Sequence, residues 1–202
     1  EIPLYLKQNK TLFMEIVIIL GLIFFNGILS MSEIAMVSAR KSRLETAAKK
    51  GSKTAKTALR LANEPDRFLS TIQIGITLIG ILTGLYSGEA LAGDLARWLE
   101  TIGIPQAHSL TLAKGIIVIL VTYLTLILGE LVPKHLGMNA PEKIARLIAR
   151  PMEVLSKIAS PFVWLLSAST QAVIRLTGLH TSTENKVTEE EIKAIIQEGT
   201  ED

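Results

Sequence analysis

Glu130 is a carboxylate at the end of a long apolar run, Ile116-Ile-Val-Ile-Leu-Val-Thr-Tyr-Leu-Thr-Leu-Ile-Leu-Gly-Glu-Leu-Val-Pro-Lys134. Pro133 has no N–H and its ring crowds the preceding turn, so a helix must kink or loosen here. Carbonyls near Gly129 and Glu130 then lose their usual donors. A carboxylate beside freed carbonyls, inside an apolar segment, has the chemistry of a hard-cation ligand set. The same spacing also suits a plainer arrangement, with Glu130 at the headgroup level and paired one turn on with Lys134.

A second polar set interrupts the first apolar block, residues 12–37. Asn26, Ser30 and Glu33 follow i, i+4, i+7 spacing and share one helix face, with Ser32 beside them. Polar groups within a span must face protein or water rather than lipid. Interhelical packing through Ser and Asn is the alternative use. The second block, residues 68–86, offers Gln73 and Thr77, one turn apart. At ~1.5 Å rise per residue, Ser30 stands roughly 15 Å from Arg40 and Glu33 roughly 10 Å. Gln73 stands roughly 9 Å from Arg67, Thr77 roughly 15 Å, and Glu130 roughly 6 Å from Lys134. All three blocks thus place oxygen ligands in one layer, where Mg²⁺ and Na⁺ would find hard donors.

The elements that must carry these groups follow from the hydropathy pattern. The chain has 202 residues, 49% hydrophobic yet 20% charged, with a mean hydropathy of +0.39. Apolar spans alternating with solvated segments account for both. Blocks 12–37, 68–86 and 115–136 are each long enough to cross a bilayer at ~20 residues per crossing. There is no cysteine, so no disulfide framework or thiolate site. His108, His135 and His180 lack zinc-ligand spacing. No signal-peptide cleavage site follows the first apolar run, which reads as a retained span. No nucleophile–base constellation or cofactor fingerprint is visible, so an enzyme is not expected.

Charge sets the expected topology. From Ser38 to Asp66, Lys and Arg far outnumber Glu45, Glu64 and Asp66, and the segment reads as helical with a break at Gly51. Beside an apolar span this is a cytoplasmic loop under the positive-inside rule rather than a nucleic-acid surface. Residues 87–112, a loop with helical character, are far less basic and belong outside. The N-terminus is then outside, and the third span exits inside at Lys134. Residues 1–11 read as an extracellular or interfacial segment, or as an appended one. Residues 137–180, with Pro141 at a helix start and Pro151 and Pro161 dividing the run, read as juxtamembrane helices lying at the interface. Residues 181–202 read as a linker and a soluble acidic helix with a Thr188/Glu191 capping box, leading to a further domain. The expected fold is therefore an all-α membrane protein of three transmembrane helices plus interfacial helices.

Three segments resemble one family. Phe24-Phe-Asn-Gly-Ile-Leu-Ser-Met-Ser-Glu-Ile-Ala35 is similar to the first-helix signature of the CNNM/CorC magnesium transporters. Pro65-Asp-Arg-Phe-Leu-Ser-Thr-Ile-Gln-Ile-Gly75 is similar to the start of their second helix, and Gly129-Glu-Leu-Val-Pro-Lys134 to their third-helix signature. The resemblance implies a homodimer in a prokaryotic plasma membrane that exports Mg²⁺ against Na⁺ entry. It also implies a cytosolic CBS-domain pair, beyond this chain, that senses ATP-Mg. By position it assigns Ser30, Ser32, Glu33, Gly129 and Glu130 to the ion. Asn26 joins them only through its place one turn before Ser30. Many relatives carry asparagines in the second helix where this chain has Ile76 and Gly80, which leaves Thr77, Gln73 or a backbone carbonyl there. Polyamine export, known in some branches of the superfamily, and a non-transporting Mg²⁺ sensor are the alternative functions.

Overall fold

A computed structural model of the chain describes residues 4–177. The proposed acidic helix and its Thr188/Glu191 capping box lie outside the described residues. Residues up to Val163 form one compact unit, and the end of α7 from Trp164 begins a second. Among the described residues the structure is helical and without strands: α1 (Leu4–Ser38), α2 (Lys41–Lys49), α3 (Lys53–Asn63), α4 (Pro65–Thr101), α5 (Gln106–Leu126), a π-turn (Ile127–Leu131), α6 (Val132–Asn139) and α7 (Pro141–Leu176). Three stretches are long and apolar enough to cross a membrane: Thr11–Ser38, Pro65–Thr101 and Gln106–Asn139. The three-span reading therefore holds, and α7 is not among these stretches.

The helices run well past their apolar blocks. α4 continues to Thr101, about 55 Å at ~1.5 Å per residue, so the segment expected as a loop is a helical hairpin. Small and branched residues hold it together: Ala92 packs with Ile117 and Val121, and Ala96 and Leu99 pack with Ala113. Gly103, at φ +98°, makes the turn, and Ser109 Oγ donates to Glu100 Oε1 at 2.7 Å across it. At the basic end Gly51, φ +93°, breaks α2 from α3. Ser52 then caps α3 by accepting from the Ala55 N–H at 3.2 Å. Pro65 and Pro141 open α4 and α7, where a missing N–H costs nothing. Asp66 sits in the first turn of α4.

One core unites this end. Leu29 and Met36 of α1, Leu44 of α2, Ala58 and Leu61 of α3, Phe68 and Ile72 of α4, and Ile148 and Met152 of α7 form a single buried cluster. Pro151 and Pro161, which the sequence suggested would divide the run, both lie inside the unbroken α7. Each ring is on the exposed side of the helix, so it meets no core residue. The carbonyls they orphan, at Leu147 and Lys157, belong to exposed residues where solvent or headgroups supply donors. Around the outside, large apolar side chains are open, Phe24 at 70% and Ile119 at 72%. Acyl chains solvate such a surface.

α1 packs against α4 on one side and against the π-turn and α6 on the other. These contacts run through glycines. A Cβ on Gly137 would stand 2.4 Å from Ile34 Cγ2 and 2.8 Å from the Met31 carbonyl oxygen, and one on Gly27 would stand 2.9 Å from Pro133 Cγ. Backbones meeting this closely replace the hydrophobic drive that lipid does not provide. Gly137→Ala is therefore expected to lower stability in detergent by about 1–3 kcal/mol, read as a fall in the thermal unfolding midpoint. Gly21→Ala, whose Cβ would meet nothing within 4 Å, should not lower it.

Candidate cation site

The site is built where the third span departs from regular helix. The Val132 N–H donates to the Ile127 carbonyl, one residue further back than in an α-helix. Pro133 has no N–H to give. The carbonyls of Leu128 and Gly129 therefore both lose their α-helical donors, one residue earlier than the Gly129 and Glu130 pair expected, because the π-turn shifts the Val132 N–H back to Ile127. A π-turn of this kind is rare and tends to mark functional sites.

α1 answers this defect. Asn26, only 4% exposed, donates from Nδ2 to the Gly129 carbonyl at 3.1 Å. That bond fixes the orientation of the amide and turns Oδ1 the other way. Asn26 Oδ1 is buried with no hydrogen-bond partner, and so is Ser30 Oγ one turn further on. Unpaired buried acceptors are costly in a protein interior, about 1–3 kcal/mol each. Two on one helix stripe are the feature a bound cation would explain. A Cβ on Gly129 would lie 3.2 Å from the Ile23 carbonyl oxygen and 3.3 Å from Asn26 Nδ2. A side chain here would need Ile23 and Asn26 to give by a few tenths of an ångström, so the glycine of the Gly-Glu pair suits the close approach.

The charged edge lies one turn beyond. Lys134 Nζ is 2.8 Å from Glu130 Oε1 and 3.7 Å from Glu33 Oε2. The i, i+4 pair that the sequence offered as the plainer arrangement is thus formed. The same ammonium also bridges to α1, which the sequence did not show. Ser30, between Asn26 and Glu33 on one stripe, is bracketed by these contacts to Gly129 and Lys134. The arrangement gathers Asn26, Ser30, Glu33, Gly129, Glu130 and Lys134 along one seam between α1 and the π-turn region.

Three candidates stand apart. Ser32 is fully buried, but its hydroxyl donates to its own helix at the Ile28 carbonyl, 2.6 Å. Gln73 and Thr77 are exposed, and the chain does not bring them to Asn26 and Ser30. α4 meets α1 through a different stripe, where Gly75 lies against Leu29 (a Cβ there would be 2.7 Å from Leu29 Cδ1) and Ile72, Ile76 and Ile79 join the core. The polar stripe sits about 100° or more around the helix from that contact. Gly27, Gly137 and the second role of Lys134 were missed by sequence reasoning. Their signal was the register of small residues in the first span against the Gly-Glu-Leu-Val-Pro-Lys segment.

Among the described residues no group of three or more His, Cys, Asp or Glu could hold a metal. The available donors are an amide oxygen, a hydroxyl, backbone carbonyls and two carboxylates, a set suited to hard cations rather than to zinc. The fold is that of a multi-pass membrane protein, with three helices long and apolar enough to cross a bilayer. The family model of the Cyclin M transmembrane N-terminal domain matches residues 17–202, and the chain belongs to this CNNM family. It is 46% identical over 186 residues to a UPF0053 protein of Synechocystis, covering 92% of this chain and 42% of that protein. It is 30% identical over 190 residues to the polyamine export protein of Haemophilus influenzae, covering 94% and 44%, and 29% identical over 185 residues to that of Escherichia coli, covering 92% and 41%. The chain spans less than half the length of these relatives.

The site makes opposite predictions for its two orphaned side chains. Asn26→Ala leaves the Gly129 carbonyl without a donor and is expected to cost about 1–3 kcal/mol. Ser30→Ala removes a buried hydroxyl that has no partner, and should leave stability unchanged or raise it in chelator-treated buffer. Thermal unfolding of the two variants checks both signs.

Proposed function

We propose that the chain is the membrane domain of a cation exporter, with Mg²⁺ as cargo and Na⁺ entry as the drive. The observation that carries this reading is the pair of unpartnered buried oxygens, Asn26 Oδ1 and Ser30 Oγ, on the helix whose Asn26 amide holds the Gly129 carbonyl. Mg²⁺ demands near-octahedral oxygen ligation and sheds water reluctantly. Neutral oxygens with one carboxylate bind it weakly enough to release it, which transport requires. Lys134 is the internal counter-ion of this scheme. Its ammonium bridges Glu130 and Glu33, compensating one of their two charges, and an arriving cation must displace it. Glu33 then tunes the charge or takes the coupling Na⁺. Under the positive-inside rule the basic end, with α2, α3 and α7, faces the cytoplasm of a prokaryotic plasma membrane and the N-terminus lies outside.

Gln73, Thr77, Gly80 and Gly84 share one exposed stripe of α4, and a Cβ on Gly80 or Gly84 would meet nothing within 4 Å. A G-x-x-x-G stripe open along a span suits a second copy of the chain. We assign the homodimer contact to it, with Gln73 and Thr77 supplying polar contacts there rather than ion ligands.

A second reading has its own support. Lys134 is itself an alkylammonium held at 2.8 Å by Glu130, so the two carboxylates suit the ammonium end of a polyamine equally well. Two relatives are named polyamine export proteins.

Flux into proteoliposomes separates these readings. Na⁺-dependent Mg²⁺ flux is expected from the chain and should be lost in Glu130→Gln, while Ser30→Ala should lose Mg²⁺-induced thermal stabilisation. Spermidine flux in place of Mg²⁺ flux would establish the polyamine reading. Mg²⁺ binding by calorimetry with no flux of either would make the protein a sensor. For the dimer, Gly84→Ile should shift the species seen by light scattering towards monomer, and an unchanged dimer would reject that stripe as the contact.

A further inference from the structure

The basic end holds a cavity of about 130 Å³ between α3, the start of α4 and α7, lined by Arg60, Glu64, Arg67, Glu153, Ser156 and Lys157 among others. It is separate from the cation seam. Arg60 Nη1 lies 2.7 Å and Lys157 Nζ 3.7 Å from the same Glu153 oxygen. Two cations thus converge on one carboxylate and leave one positive charge uncompensated. Arg67 and Glu64, 3.8 Å apart, balance each other on the rim. Ser156 is 5% exposed, lines the cavity, and has no hydrogen-bond partner among the described residues. Its hydroxyl opens on the cavity and is free to donate to a ligand there. The first turn of α4 adds N–H groups that no capping side chain covers, since Glu64 makes no cap bond.

Net charge and depth narrow the ligand. Three cations against two carboxylates leave a surplus of one, which matches a phosphodiester monoanion better than a phosphate monoester of nearly two charges. Phe68, at the cavity wall, begins the apolar block of the second span. Leu147, Val154 and Ile158 form an exposed apolar stripe along α7, at 75%, 57% and 66%. An amphipathic helix with such a stripe lies at the boundary between headgroups and acyl chains, which puts the cavity at the depth of lipid phosphates. We propose that this cavity binds the phosphodiester of an anionic phospholipid headgroup. The phosphate accepts from Ser156 Oγ–H, from the Arg60 and Arg67 guanidiniums and from the Lys157 ammonium. It thereby ties α7 to the start of the second span.

Native mass spectrometry of the chain in detergent, titrated with phosphatidylglycerol or phosphatidylcholine, tests this. Phosphatidylglycerol should be retained in preference. Arg67→Gln should weaken that retention about fivefold, as loss of one charge near a surface predicts. Ser156→Ala should weaken it about threefold, as loss of one hydrogen bond predicts. Glu153→Gln removes the competing carboxylate and should tighten it, a gain that misfolding does not produce. Arg43→Gln, in a different basic cluster, should change nothing, and millimolar inorganic phosphate should not compete. Equal retention of both lipids, equal losses in Arg43→Gln and Arg67→Gln, or weaker binding in Glu153→Gln would overturn the proposal. Displacement by inorganic phosphate with the same dependence on Arg67 would also overturn it, and would assign the cavity to a soluble anion.

Discussion

The missing N–H of Pro133 is the constraint on which the site depends. In a bilayer, an unpaired backbone carbonyl has no water to turn to, so every such group must be answered from within the protein. The third span relaxes into a π-turn over Ile127–Leu131, and its Gly129 carbonyl takes a donor from α1, the Asn26 amide. That bond has a consequence. Once Nδ2 is committed to Gly129, Oδ1 is left a buried acceptor without a partner, as is Ser30 Oγ one turn on. A cation is the economical way to satisfy them, which links the helix defect to the proposed cargo.

Close approach makes the arrangement possible. Gly27 receives the Pro133 ring, Gly129 admits Ile23 and Asn26, and Gly137 lies on the Met31 carbonyl. Any side chain at these positions would push α1 from the third span and lengthen the 3.1 Å bond that organises the pocket. The glycines that look like packing devices therefore also govern the geometry of the proposed site. The charged edge obeys a similar economy, because Lys134 serves two carboxylates from opposite helices. Its partners are partly exposed, at 26% and 38%, so the bridge is screened and replaceable rather than a locked structural pair. A replaceable counter-ion is what the proposed exchange requires.

Amphipathicity organises the basic end. α7 presents a buried face to Leu44, Phe68 and Ile72 of the common core, a charged face carrying Glu153 and Lys157, and an exposed apolar stripe. A helix with three such faces suits a boundary between protein, water and lipid. Its prolines survive because both rings point outwards.

Much of this was legible in the chain. Three spans followed from apolar length, because the thickness of a bilayer sets a minimum run that sequence reveals directly. The break near Gly129 followed from proline chemistry, and the shared face of Asn26, Ser30 and Glu33 from the helical period, since both are local properties. Rotation of one helix about its axis relative to another is not local. Depth alone placed Gln73 and Thr77 level with Ser30. Only the tertiary structure showed that α4 turns Gly75 and its isoleucines towards α1 and leaves the polar stripe outside. That choice depends on how Leu29 fits over Gly75, a matter of shape between residues far apart in sequence. The same holds for Asn26 reaching Gly129 and Lys134 reaching Glu33. The sequence determined which groups lacked partners, and the packing of helices decided which partner each one found.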